Sequence, residues 1–279
     1  MTYDDPLESI RGCYYAVMDG AGNDFVIVDL RQGGTMTDKA IAALANRDGI
    51  YGCDQVIGIE DGPAMKIWNA DGSVAEACGN ASRCVAEILM REEGTSAVTF
   101  GSPAGQLSAK RRDKMVSVDM GEPRLRWDQI PISHPTSDTT ALPVPTDILT
   151  RFGLIAPVGV NMGNPHAVFF IDNADPFPLE LMGPEVEEHP LFPEKVNVTV
   201  ASKAEAGFRA RTWERGVGIT KACGTAACAV LVSAVRTKLS ASRSGLVHVD
   251  GGTLMIAWDE HTNRVTMAGP TKLHEQGTL

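Results

Sequence analysis

The tripeptide Ala-Cys-Gly occurs twice in this chain of 279 residues, at Ala77-Cys78-Gly79 and Ala222-Cys223-Gly224. Each copy stands in the same company. Trp68-Asn69 precedes Cys78 by ten and nine residues, and Trp213-Glu214 precedes Cys223 by the same ten and nine. Gly22-Asn23 opens the strand-like Phe25–Val28, and Gly163-Asn164 opens the strand-like Ala167–Ile171. Gln55 follows Asn23 by 32 positions, and Asn197 follows Asn164 by 33. Landmarks that recur in one order, 141 to 145 positions apart, mark a duplicated domain. Such a chain must build one kind of core twice.

Each repeat has a readable local structure. Met65–Trp68 and Phe208–Trp213 alternate as strands do, and each ends in a glycine-containing turn. After Cys78-Gly79, the residues Ala81, Cys84, Val85, Ile88 and Leu89 follow helical spacing, with Asn80 expected as N-cap and Gly94 as the terminating glycine. The helix expected from Thr225 is apolar nearly all round, and so must be buried on all sides. The fold class expected is α/β: two pseudo-two-fold-related halves, each a mixed or antiparallel sheet wrapped around a central helix. Six prolines between Pro123 and Pro157 predict a loop-rich connection, which puts the halves at 1–123 and 124–268. A second cluster, Pro176 to Pro193, reads as a surface excursion.

Charge and composition exclude several classes. Lys and Arg number 25 against 35 Asp and Glu, a formal charge of −10, which argues against a nucleic-acid binder. With 43 % hydrophobic and 22 % charged residues the chain is an ordinary globular protein. The longest largely apolar stretch, Ala226 to Val235, is far short of the ~20 residues a membrane span needs. Residues 1–10 carry Asp4, Asp5 and Glu8 and no apolar segment, so a cytoplasmic location is expected, with the six cysteines as free thiols.

A cysteine at a helix N-terminus has its thiolate stabilised by unpaired N–H groups and the helix dipole. The same N–H groups suit a substrate carboxylate. Two such starts related by pseudo-two-fold symmetry could set two thiols on opposite faces of one carbon, as a cofactor-free amino-acid racemase or epimerase requires.

At these residues the chain resembles the diaminopimelate epimerases. The resemblance rests on Gly22-Asn23-Asp24-Phe25, Ala77–Asn80 with Arg83-Cys84, Gly163-Asn164-Pro165-His166, Val196-Asn197, and Glu214-Arg215-Gly216 with Ala222–Thr225. It implies PLP-independent interconversion of LL- and meso-2,6-diaminopimelate in lysine synthesis, with Cys78 and Cys223 as base and acid. It further implies that His166 and Glu214 poise the thiols, and that Asn23, Gln55, Asn69, Asn164, Asn197 and Arg215 hold the substrate. Gly79-Asn80 and Gly224-Thr225 would cradle the reacting carboxylate, and 269–279 would return to the first half. Ala81-Ser82 stands where the family usually has Gly. The partner implied is a small amino acid; no cofactor, metal, nucleic acid or membrane is called for, and a homodimer stays open. Chemistry agrees at Arg215, whose planar fork suits a distal carboxylate.

Plainer readings compete. A lone cysteine is most often a small buried apolar side chain, and Cys13, Cys53, Cys84 and Cys228 are read so. Trp68 and Trp213 read as core anchors. A zinc site would need C-x2–4-C pairing, which only Cys223/Cys228 offers, and no His pair accompanies it. Rival functions are a proline racemase or hydroxyproline epimerase, whose substrates have no distal amino-acid head for Arg215, and a non-catalytic amino-acid-binding protein, which needs no duplicated thiol.

Overall fold

Short runs of β-branched and aromatic residues bounded by glycine turns make strands here, and the two runs that follow Cys-Gly make helices. The computed structural model describes residues 5–75, 78–103 and 105–279; Ala77 of the first Ala-Cys-Gly lies outside them, as does the start of the 1–10 segment. The chain divides into two units. One runs to Val118 and takes in Gly269–Leu279; the other is Asp119–Ala268.

The first unit contains β1 (Tyr14–Asp19), β2 (Asp24–Asp29), α1 (Asp38–Ala45), β3 (Gln55–Glu60), β4 (Ala64–Asn69), α2 (Gly79–Glu93), β5 (Ala97–Ser102), β6 (Gly105–Arg112) and β7 (Met115–Asp119). The second contains α3 (Thr146–Phe152), β8 (Val158–Asn161), β9 (Pro165–Phe170), α4 (Leu179–Glu187), β10 (Asn197–Lys203) and β11 (Phe208–Glu214). It continues with β12 (Gly218–Thr220), α5 (Gly224–Arg236), β13 (Ser244–Val249), β14 (Gly252–Trp258) and most of β15 (Val265–Pro270), whose last two residues fall in the first unit. The last strand, β16 (Lys272–Thr278), pairs antiparallel with β1 in the first unit.

The repeat seen in the sequence is a repeat of strand register. In the first unit β2 pairs parallel with β3, which turns back antiparallel onto β4. In the second, β9 pairs parallel with β10, which turns back onto β11. Phe25 faces Gln55, and its counterpart His166 faces Asn197; Val56 faces Trp68, and Val198 faces Trp213. Strand pairing in both units is therefore mixed, with the sequence landmarks at matching strand ends.

Each unit has its own core. In the first, Val26, Val28, Ile41, Leu44 and Val56 are buried together, with Trp68 packed against them. In the second, Phe169, Leu179, Val186, Val198 and Val200 are buried, with Trp213 against them. Helix α5 touches β8, β9, β10, β11, β13 and β14, and every residue from Gly224 to Ala234 is buried, so it is the central helix its composition called for. Helix α2 packs on β5 and β6 and ends at Gly94 in the left-handed conformation.

Three local expectations are corrected. Helix α2 begins at Gly79 and is capped by Cys78, with Asn80 already inside its first turn. The proline-rich stretch after Pro123 is irregular, yet Ile130 and Leu142 are fully buried in the second core, so it is built into that unit. The 176–193 segment contains α4: Leu179, Met182, Gly183 and Val186 follow helical spacing and are buried. Proline is tolerated at Pro178, outside the helix start, and at Pro184 within it, which hid the helix from a reading based on breakers.

Candidate active site

In the first unit Cys78, Gly79, Asn80 and Asn23 gather at the N-terminus of α2. Cys78 is its N-cap, half-buried and extended, and its Sγ accepts the Ala81 backbone N–H at 3.4 Å. Ser82 Oγ donates to the Cys78 carbonyl at 2.9 Å. Gly79 and Asn80 are buried in the first helical turn. Asn80 Nδ2 donates to Asn23 Oδ1 at 2.6 Å, and Asn23 Nδ2 donates to Asp54 Oδ2 at 3.2 Å. Gly22, before Asn23, has φ +89°, and Gly163, before Asn164, has φ +98°, so the duplicated glycines are set by left-handed turns. Gln55 Nε2 donates to Asn69 Oδ1 at 2.9 Å across β3 and β4, a pair fixed by the register of those strands.

In the second unit the same construction recurs at α5. Cys223 is the N-cap and 6 % exposed. The equivalent Ala226 N–H favours its sulfur without forming a cap bond, and Sγ stands 3.4 Å from Thr225 Oγ1. Gly224 and Thr225 are buried in the first turn. Glu214, at the end of β11, lies beside the Cys223 thiol and accepts the Thr220 hydroxyl. Burial, followed by the Glu214 charge, pushes the Cys223 thiol well above the usual range. Burial likewise raises the Glu214 carboxyl, with the neighbouring Thr220 hydroxyl and Cys223 thiol pulling the other way.

The strand ends of the same unit carry His166, Asn164, Asn197 and Arg215. His166 is fully buried; its Nε2 is 2.9 Å from Asn164 Oδ1, and its Nδ1 has no hydrogen-bond partner among the described residues. Burial, and next the Arg215 charge, lower its pKa to about 3, so the ring is neutral at physiological pH. Asn197 Nδ2 donates to the Pro165 carbonyl at 2.8 Å, and its Oδ1 accepts the Arg215 backbone N–H at 2.9 Å. Arg215 Nη1 donates to the Glu194 carbonyl at 3.0 Å.

Sequence reasoning missed the supports. Asp54, which holds Asn23, is bridged to Asp24 by the Arg47 guanidinium. Thr220 reaches Glu214 from β12, a three-residue strand with no pattern to announce it. Glu187, from α4, accepts from Trp213 and Gly216. Cys13, Cys53, Cys84 and Cys228 are buried in the cores. Among the described residues no group of three or more His, Cys, Asp or Glu is arranged to hold a metal ion, and no helix is long and apolar enough to cross a membrane.

Comparison with known proteins places this arrangement. The diaminopimelate epimerase family model matches residues 15–126 and 158–274. A diaminopimelate epimerase of Phenylobacterium zucineum is 43 % identical over 283 residues, covering 98 % of this chain and all of the relative. One of Caulobacter vibrioides is 44 % identical over 278 residues, covering 94 % and 96 %. Among solved structures, a phenazine biosynthesis PhzF-family protein of Enterococcus faecalis superposes with a TM-score of 0.67 at 16 % identity, covering 96 % of this chain and 98 % of that one. A probable proline racemase of Agrobacterium radiobacter does so at 0.65 and 14 %, covering 96 % and 92 %. These low-identity neighbours share the two-repeat α/β fold. The chain belongs to the diaminopimelate epimerase family.

Proposed function

We propose that this chain interconverts LL- and meso-2,6-diaminopimelate without a cofactor, serving lysine synthesis in the cytoplasm. The observation that carries the reading is the duplicated helix start in a member of this family: two helices, each with a cysteine at its N-cap position, Cys78 with its sulfur on the Ala81 N–H. The reaction needs one thiolate to take the α-proton and one thiol to return a proton to the opposite face.

The two sulfurs are poised differently. Cys223 keeps its proton, because burial and the neighbouring Glu214 carboxylate both oppose a second negative charge. Cys78 is more exposed and receives the Ala81 N–H, an arrangement that suits a sulfur bearing charge. In that state Cys78 removes the α-proton and Cys223 donates one; in the reverse direction the roles exchange, and Glu214 helps Cys223 to give up or regain its proton. His166, buried and neutral, is the second group assigned to poising the thiols.

The remaining residues divide the substrate between them. The N–H groups of Gly79-Asn80 and Gly224-Thr225 receive the carboxylate of the reacting centre. Asn23, Gln55, Asn69, Asn164 and Asn197 supply neutral donors and acceptors for the ammonium and carboxylate groups, and Arg215 takes the distal carboxylate. The test is a turnover assay offering LL-diaminopimelate, L-proline and L-lysine side by side. Epimerisation of diaminopimelate alone is expected; turnover of proline in its place would overturn the reading.

A further inference from the structure

Glu187 ends α4 and is only 4 % exposed, so its buried oxygens need hydrogen-bond partners. It finds two of them in one short stretch of chain. Oε2 accepts the Trp213 indole N–H at 2.6 Å, and Oε1 accepts the Gly216 backbone N–H at 2.8 Å. The Lys195 ammonium stands 3.7 Å from Oε1. The two residues between these anchors are Glu214 and Arg215.

The helix that carries Glu187 also fixes the tryptophan. Gly183 lies one turn earlier on the same face, and a Cβ there would stand 2.5 Å from Trp213 Cγ. Helix α4 therefore lies directly on the indole, with the ring against Gly183 and its N–H on Glu187. Gly216, at φ +74°, turns the chain so that its N–H returns to the same carboxylate. Asn197 Oδ1 holds the Arg215 N–H between them.

We propose that Glu187 is a positioning residue for the epimerisation: its carboxylate clamps the β11–β12 turn at both ends and so sets where Arg215 meets the distal carboxylate. The proposal rests on the assignment of Arg215 made under the proposed function. Glu187 itself touches no substrate. Its hydrogen bonds are charge-assisted, which makes the clamp stiffer than a neutral one would be.

The experiment is a double-mutant cycle on the full chain with LL-diaminopimelate, using Glu187→Gln, Arg215→Lys and the double variant. Glutamine keeps the volume but turns an amide N–H toward one of the two donors, so one anchor is lost. Glu187→Gln is expected to lower kcat/KM about 10- to 100-fold, mainly through KM. In the Arg215→Lys background the same change should cost less than about threefold, because the fork it places is gone. Full multiplication of the two effects, or a wild-type KM in Glu187→Gln, would overturn the proposal. Amide hydrogen exchange supplies a readout independent of substrate: Gly216 should exchange faster in Glu187→Gln, and unchanged protection there would also overturn it. If Glu187→Gln does not fold, Trp213→Phe removes one donor while keeping a ring against Gly183, and must move KM in the same direction. A wild-type enzyme inactive on diaminopimelate would instead overturn the substrate reading.

Discussion

Gly20 presses on the backbone of Asn80: a Cβ at Gly20 would stand 2.8 Å from the Asn80 carbonyl oxygen, and 3.3 Å from Cys84 Sγ. The atom in the way is main chain of the first turn of α2, the turn that Cys78 caps, and backbone cannot swing aside as a side-chain tip can. Gly20→Ala must therefore push that turn outward. It is expected to cost about 1–3 kcal/mol in stability, the usual range for overpacking, and to lower kcat by more than the stability loss alone explains. Urea unfolding and steady-state kinetics on the same preparation check both; wild-type values would mean that the turn has room to move.

His166 makes stability depend on acid. An unfolded chain protonates this histidine below its ordinary value of 6.5, whereas the folded one does so only near 3. Between those values the unfolded state binds more protons, so stability falls as pH falls through the window. By pH 5 the loss is about 2 kcal/mol. Denaturant titrations at pH 7 and pH 5 should show it, and His166→Gln should remove that part of the dependence. Equal pH slopes for the two proteins would contradict the burial described.

Alkylation should be ordered. Cys78 is half-buried, while Cys223 is 6 % exposed and its thiol is held well above the usual range. Iodoacetamide at neutral pH is expected to modify Cys78 first, as read by peptide mass mapping at partial inactivation. Cys223 labelled first would reverse the proposed roles of base and acid.

Arg215→Lys keeps a positive charge and loses the planar fork. It should cost about 1.5–3 kcal/mol in kcat/KM with the circular dichroism unchanged. Near wild-type kinetics would move the distal carboxylate to another residue.

A two-base mechanism leaves an isotopic trace. In D2O, starting from either stereoisomer, deuterium should enter the product well before the recovered substrate, because the donating thiol equilibrates with solvent. Equal early labelling of both isomers would indicate one shared base.

What the sequence made legible was whatever the duplication marked. Cys78 and Cys223, Trp68 and Trp213, Gln55 and Asn197 could be paired by counting, and their strands do pair in matching registers. The N-cap was misplaced by two residues, because Asn80 is a common capping type and cysteine is not. Helix α4 was hidden by Pro178 and Pro184, although its apolar residues keep helical spacing. Glu187, Asp54 and Thr220 act through side-chain bonds that join positions far apart in the chain, or across a three-residue strand, and a single sequence carries no spacing rule for such bonds.

The two capping cysteines have a consequence for what this protein gives up. Serine is among the side chains a helix start prefers, and its hydroxyl accepts the N–H of the first turn more strongly than a sulfur at 3.4 Å does. Cys78→Ser and Cys223→Ser should therefore fold at least as well as the natural chain while losing turnover. At both helix starts the reagent occupies the place of a better cap, and that is a trade of fold stability for reactivity, made twice.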